Sequence, residues 1–385
     1  MTLRVGKLVY GIIKLLPCLL AVLLASSCSS DVNSDEQKGN KTLVTLTIAA
    51  SGNAATASRA VSGNSSTITR ASASVSDPTN KDYYISDLTV LIFDESGDVI
   101  GSTTKQAPFS PSSDGNITIQ VLTRAAKKCT VYAIANALAL NDGATPPFAG
   151  VATLSALQSK VKTYKDADDI NKETCLLMMG KTADNSFDTT NSGSAAAISL
   201  QRLASRIDFN FTVNNDKTTD KTTGFPIVVD SYQLCNVPTS TLYQQSDFTN
   251  PSMPSGSTST SKYQSQGSIT SSTAGTKKTY TCYVYTNTDT NASHKTYLLI
   301  NAHSAVTGSD GTIYKVWNSE FHVNMPDIVK PNMHYTVNIT INGGATHGTA
   351  QGDCGFVFTY NAYPYFSGSI LNPWGTNENR DLDLQ

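Results

Sequence analysis

Hydrophobic and polar residues alternate along most of this chain, a pattern typical of β-strands with one buried face. In residues 42–50 (TLVTLTIAA), Val44, Leu46 and Ile48 share one face, so this segment predicts such a strand. Similar patterns, separated by turn-forming residues, recur at 82–94, 115–123, 129–136, 195–213, 225–234, 278–286, 296–304, 311–323, 332–342 and 355–360. Many short strands of this kind predict an all-β protein.

One segment, residues 153–167, has the periodicity of a helix instead. Its large apolar residues recur at intervals of three and four: Leu154, Leu157, Val161 and Tyr164. Because strands and helices do not otherwise alternate, the pattern favours two β-sandwiches over an α/β fold. We expect an N-terminal β-sandwich domain over 42–201, which includes this short helix, and a C-terminal β-sandwich domain over 202–385.

Two long polar stretches interrupt the strand patterns. Residues 51–81, which directly follow the first strand, contain almost no side chains that a core could bury. A loop of this length inside a compact domain is usually functional or disordered. Residues 238–278 are rich in Ser, Thr, Gly and Pro, and we expect them to form a surface loop.

The N-terminus has the features of an export signal. Basic residues precede an apolar run over 15–25, which is shorter than the roughly 20 residues that a membrane-spanning helix needs. The run ends in Ala-Ser-Ser-Cys, which resembles a bacterial lipobox, although Ala25 occupies a place where leucine is commoner. We expect removal of residues 1–27, lipidation of Cys28 with diacylglyceryl and palmitate groups, and a flexible tether over 28–41. An ordinary secretory signal is the alternative.

Composition narrows the choice of partners and compartment. Charged residues make up 15% of the chain and the formal net charge is −2, so a nucleic-acid partner is not expected. The abundance of Ser, Thr, Asn and Gly, with 17 Tyr, is typical of β-rich extracellular proteins. Beyond Cys18 and Cys28 the cysteines are odd in number and widely spaced, which does not indicate a disulfide framework: Cys129, Cys175, Cys235, Cys282 and Cys354. We expect most of them to be small buried side chains.

No motif for catalysis, metal or cofactor binding is present. The sequence lacks GxSxG, HExxH, GxxxxGK and GxGxxG, so we expect neither an enzyme nor a cofactor. Asp166, Asp168 and Asp169 lack the glycine of a calcium-binding loop, since Asn171 occupies its place. We therefore expect no bound metal. Aromatic residues near Trp374 are better explained by strand packing than by sugar stacking.

The order of these features resembles the type V, FimA-like major fimbrial subunits of Bacteroidales. The resemblance rests on the lipobox, the first alternating strand, an Arg-Ala loop and a Trp-bearing C-terminal segment. Between them stand ISDLTVLIFDESGDVI (85–100), VYAIAN (131–136), LQRLASRIDF (200–209) and VKPNMHYTVNITING (329–343).

The resemblance implies a function and a location. It implies two transthyretin-like β-sandwich domains and a lipoprotein exported to the outer membrane and cell surface. An Arg-specific protease would then remove the first strand. The subunit would polymerise by donor-strand exchange with copies of itself and accessory subunits, in a fimbrium (pilus) that supports adhesion to host or bacterial surface ligands.

The resemblance also implies roles for particular residues. Between Cys28 and Arg124 the chain has two arginines, and both precede alanine in the loop after the first strand. We expect cleavage between Arg59 and Ala60, with Arg70 and Ala71 as the second choice. The expected donor segment is 368–385, although Pro373 interrupts its alternation. Its large apolar side chains are Ile370, Trp374, Leu382 and Leu384.

Three other roles remain open. The chain could be a tip adhesin of the same fimbrial system, or its lipid-retained anchor subunit. A role of a different class is that of a monomeric surface lipoprotein that binds glycans through exposed aromatic residues.

Overall fold

β-Strands form nearly all of the regular structure, which confirms the predicted all-β fold. The computed structural model describes residues 41–50, 75–112, 115–188, 197–214, 227–255, 264–266, 277–307, 313–326, 328–342 and 356–364. The elements of the first part are β1 (Lys41–Ala50), β2 (Asp87–Phe93), β3 (Val99–Gln106), β4 (Asn116–Arg124), β5 (Ala126–Ala135), α1 (Leu154–Gln158), β6 (Val161–Thr163), α2 (Asp169–Lys172), β7 (Met178–Phe187) and β8 (Ala197–Arg202).

Seven of these strands form one closed sheet, in the order β1-β4-β3-β2-β5-β7-β8. Two of its junctions are short: β3 meets β4 at the pair Gly101–Thr123, and β7 meets β8 where Met178 and Met179 face Arg202 and Gln201. These two junctions divide the closed sheet into two halves of a β-sandwich, one with β4, β1 and β8 and the other with β3, β2, β5 and β7. Apolar side chains from both halves fill one core between them.

Strand β2, in the wider half of this sandwich, is buried on both faces. Every residue of β2 is buried, because alternate side chains enter either the sandwich core or a second apolar cluster on the outer face. Leu91 and Phe93 belong to that second cluster, together with Leu157 of α1. The short helix thus covers the outer face of the sheet.

The rest of the described chain forms two further four-stranded sheets, in the orders β12-β10-β14-β15 and β13-β9-β16-β17. Their eight strands are β9 (Ala204–Asn214), β10 (Ile227–Cys235), β12 (Gln264–Gln266), β13 (Lys277–Tyr285), β14 (Tyr297–Thr307), β15 (Ile313–Asn324), β16 (Met333–Asn342) and β17 (Phe356–Pro364). The same part of the chain also contains β11 (Ser240–Leu242), which pairs with β6 in a two-stranded sheet, and a 3-10 helix at Ala292–His294. One apolar core lies between the two sheets, with Phe209 of β9, Leu234 of β10 and Ile300 of β14 among its members. This part is therefore a second β-sandwich.

The chain passes from the first sandwich to the second at Leu203. There β8 ends and β9 begins, and the Leu203 backbone N–H donates to the carbonyl of Leu177 at 2.9 Å instead of extending a strand ladder. This point lies beside the predicted boundary at residue 202. The division into two domains itself stays a prediction.

Two sequence-based interpretations were wrong in part. The helix predicted over 153–167 ends at Gln158, and Val161 lies in β6, which pairs with β11. That partner belongs to the predicted surface loop 238–278, whose Tyr243 is buried in the outer apolar cluster. Pairing between segments far apart in sequence overrides the local helical periodicity. In the described part of the chain, no helix is long and apolar enough to span a membrane.

Candidate functional site

Strand β1 is the central strand of the narrower half of the first sandwich. It pairs antiparallel with β4 along its length, from Lys41 opposite Arg124 to Ala49 opposite Asn116. Its C-terminal part also pairs parallel with β8, from Thr47 opposite Ala197 to Ala50 opposite Leu200. One strand near the start of the chain therefore closes the sheet between two strands that come much later.

Alternation along β1 directs its large apolar side chains into the core. Val44 is 2% exposed, and Leu46 and Ile48 are 0% exposed. Leu43 points the other way and is 45% exposed. The strand with one buried face that the pattern predicts is present, with Val44, Leu46 and Ile48 on that face.

We call the place that β1 occupies between β4 and β8 the β1 slot. Apolar side chains line it on both sides, including Ile117 and Ile119 of β4 and Ile198 and Leu200 of β8, all buried. The backbone N–H and C=O groups of β4 and β8 pair with β1 along the two walls. Chemically, the slot fits an extended polypeptide with apolar side chains at alternate positions.

The remaining residues singled out by the sequence lie outside the described residues. These residues are Cys28, Arg59, Ala60, Arg70, Ala71, Ile370, Trp374, Leu382 and Leu384. The structure does describe both ends of the stretch that carries the arginines, since β1 ends at Ala50 and the chain is described again from Val75. Of the candidate site predicted from the sequence, the structure therefore describes β1 and the slot that it occupies.

The segment that follows this stretch, 75–85, is anchored to the body of the protein. Val75 is buried in the sandwich core, and its carbonyl accepts a hydrogen bond from Ile85 N–H at 2.9 Å. The carbonyl of Asp82 accepts a hydrogen bond from Arg202 Nε at 2.6 Å. The Asp82 carboxylate accepts one from Tyr283 Oη at 2.6 Å and one from Arg206 Nη1 at 3.1 Å. The segment is therefore pinned to both sandwiches.

Arg202 carries part of this anchor, and sequence reasoning missed it. Its side chain is 1% exposed and its guanidinium lies 5.0 Å from the centre of the Tyr83 ring. A signal was available, because alternation from Ile198 and Leu200 places Arg202 on the inward face of β8. A buried arginine needs hydrogen-bond acceptors, so its position predicts a polar junction inside the fold.

Asp208 extends the polar junction into the second sandwich. It accepts hydrogen bonds from Arg206 Nε at 3.0 Å and Thr281 Oγ1 at 2.6 Å, and its other oxygen lies 2.7 Å from His334 Nε2. Burial alone would raise the pKa of the Asp208 carboxyl. The hydrogen bonds from His334, Arg206 and Thr281 outweigh burial and hold that pKa well below its ordinary range.

The cysteines in the described part of the chain have the character of structural rather than reactive thiols. Cys129, Cys175, Cys235 and Cys282 are buried, and no disulfide joins them. Burial raises the pKa of the Cys129 thiol to about 11 and that of the Cys175 thiol to about 12, which disfavours the reactive thiolate. Within the described residues, no group of three or more His, Cys, Asp or Glu side chains could hold a metal ion.

Comparisons with known proteins agree with this architecture. Residues 44–229 match the family model described as major fimbrial subunit protein (FimA). The fimbrilin (FimA) of Porphyromonas gingivalis W83 is 16% identical in sequence, with a TM-score of 0.50 over 86% of this chain and 98% of that chain. No curated protein sequence matches the chain.

Two candidate cell adhesion proteins of solved structure are also similar. One protein from Parabacteroides distasonis ATCC 8503 is 14% identical, with a TM-score of 0.54 over 86% of this chain and 99% of that chain. The one from Bacteroides eggerthii DSM 20697 is 16% identical, with a TM-score of 0.54 over 85% of this chain and 97% of that chain. At these identities the structures establish a shared fold. Together with the family match, they confirm the resemblance that the order of motifs predicts.

Proposed function

We propose that this chain, which is a relative of the FimA-like fimbrillins, is a polymerising structural subunit of a surface fimbria. The family match supports a fimbrial role, either structural or adhesive. Within that role, the subunit would lose β1 by proteolysis and accept a strand from a neighbouring subunit in its place. Other fimbrial subunits are then its principal partners.

The observation that carries the proposal is the position of β1. A single N-terminal strand seals an apolar core between β4 and β8, and the chain that follows it contains both early arginines. Removing β1 exposes two strand edges and the apolar walls of the slot. An extended segment of another subunit restores the lost main-chain hydrogen bonds, and its alternate side chains refill the core.

The remaining steps complete the scheme. Lipidation at Cys28 attaches the exported chain to the outer membrane, and a cut after Arg59 or Arg70 separates the lipid and β1 from the rest. The segment 368–385 serves as the donor for the next subunit. No reaction of the subunit itself is required, so it works without enzymatic activity, metal or cofactor.

The test compares the intact chain with the double variant Arg59→Ala, Arg70→Ala after limited treatment with an Arg-specific protease. The chain without substitutions should give ladders of stable oligomers on unboiled gels, and mass spectrometry should find a new N-terminus at Ala60 or Ala71. The double variant should stay monomeric. The matched control is Arg124→Ala, which removes a side chain that is 36% exposed and ion-paired with Asp94. Because the substitution leaves the β4 backbone that pairs with β1, it should still give ladders.

Deleting the chain from Gly368 onward should block growth after cleavage. Fibres formed on cells by the double variant would contradict proteolytic strand exchange. A chain that stays uncut and lipid-bound on cells would instead fit an anchor subunit.

A further inference from the structure

The narrower half of the first sandwich depends on β1 for its continuity, because β1 is the strand that joins β4 to β8. It consists of β4, β1 and β8, with β1 in the middle. Among the described residues, β4 joins the wider half at the pair Gly101–Thr123, and β8 joins it at Met178 and Met179. Most of the ladder hydrogen bonding of β4 therefore runs through β1.

Loss of β1 without replacement would consequently open this half of the sandwich. The inward residues of β4 and β8 contact the same core as β1, so a gap between them admits water to that core. Two unpaired strand edges would border the gap, and such edges pair readily with other chains. An empty slot is therefore an unfavourable state of the folded subunit.

We propose that the slot is never vacated: the incoming strand of a second copy of this chain displaces β1 progressively, while β1 still covers the rest of the core. This inference rests on the proposed function and adds the order of its steps. Proteolysis removes the covalent connection that keeps β1 at a high effective concentration next to its slot. Strand pairing then retains the cut β1 until a competitor replaces it.

The two orders of events differ in their kinetics. If β1 dissociates before the donor binds, its release rate does not depend on donor concentration. If the donor displaces β1, the release rate rises in proportion to donor concentration, about tenfold for a tenfold increase. Without donor, the cut β1 fragment should remain bound.

The experiment uses the chain lacking residues 1–27, with a dye on its N-terminal amine, cut by an Arg-specific protease and held at low concentration. Release of the dyed fragment is followed against increasing concentrations of two synthetic peptides. One copies the tail, 368–385, and the other copies β1, 41–50. A β1 peptide carrying Leu46→Asp is the matched control and should displace little, because it would bury a charge in the core.

Concentration-proportional release by either peptide supports the displacement order. Release at one constant rate, whatever the peptide and its concentration, overturns it and leaves strand exchange itself possible. If the β1 peptide displaces β1 and the tail peptide does not, the displacement order stands and the donor assignment in the proposed function fails. If neither peptide releases the fragment, the displacement order is wrong.

Discussion

Two leucines of β1 can test which face of this strand is buried in the sandwich core. Leu46 is 0% exposed and lies in the sandwich core, whereas Leu43 is 45% exposed on the outer face. Replacing a buried leucine with alanine removes its transfer free energy and leaves a cavity, which together cost about 2–5 kcal/mol. The same change at an exposed position usually costs about 0.5 kcal/mol or less. Leu46→Ala should therefore be far more destabilising than Leu43→Ala.

The measurement is urea unfolding of the uncut chain, followed by far-UV circular dichroism. Leu46→Ala should lower the free energy of unfolding of the first sandwich by about 2 kcal/mol or more. Leu43→Ala removes the same atoms from the same strand, so it controls for β-propensity and for changes in the unfolded chain. After the loop is cut, the same loss of free energy should raise the dissociation constant of the β1 fragment by roughly 30-fold or more, since 1.4 kcal/mol corresponds to a factor of ten.

Equal effects of the two substitutions would refute the reasoning. A larger effect of Leu43→Ala would mean that β1 lies one residue out of register, because such a shift moves every side chain to the opposite face. The proposed slot would then be lined for a different set of side chains. Strand exchange would need a new register.

Two further predictions concern the junction between the sandwiches and the contact of β7 with β8. The Asp208 carboxyl has a lowered pKa in the folded protein, so its ionised form stabilises the fold. This stabilisation is complete above the pKa of the unfolded chain, roughly 4, and is lost as pH falls toward the folded pKa. The advantage of the intact chain over Asp208→Asn in thermal unfolding should thus shrink progressively below about pH 4; an advantage that is unchanged or larger in acid would contradict this account. A methyl group at Gly180 would lie 2.3 Å from the Ser199 carbonyl oxygen, so Gly180→Ala should destabilise by roughly 1–3 kcal/mol. The control Gly143→Ala, whose nearest atom lies at 3.5 Å, should unfold like the intact chain, and equal effects of the two changes would show that β7 and β8 are not so close.

Periodicity was sufficient for the strand class but not for every partner. Alternation predicted β1 with its buried face, because a period of two directly reports which side chains enter a core. It failed at Val161 and Tyr164, whose spacing fits a helix although Val161 lies in strand β6 and Tyr164 directly follows it. Their environment depends on β11, some eighty residues later, which pairs with β6. A local pattern carries no information about a partner so far along the chain.

Polar residues inside strand patterns were the most informative positions left unused. Arg202 follows two buried residues at the same alternation, so its burial was predictable. Its acceptor was not, because the Asp82 carbonyl lies 120 residues earlier, and a strand pattern does not indicate which distant carbonyl a buried guanidinium will meet. The junction between the sandwiches therefore emerges only once the fold brings these segments together.

The two ends of the stretch between Ala50 and Val75 are held in different ways, and this bears on the choice of arginine. On one side, β1 is held by ladders to β4 and β8, which another strand can replace pair by pair. On the other side, the Asp82 hydrogen bonds and the buried Val75 pin the segment 75–85, and these contacts have no competitor in a neighbouring strand. A cut after Arg59 or Arg70 falls between the two. Either cut therefore frees β1 and leaves 75–85 in place, so single substitutions at Arg59 or Arg70 should each leave assembly intact.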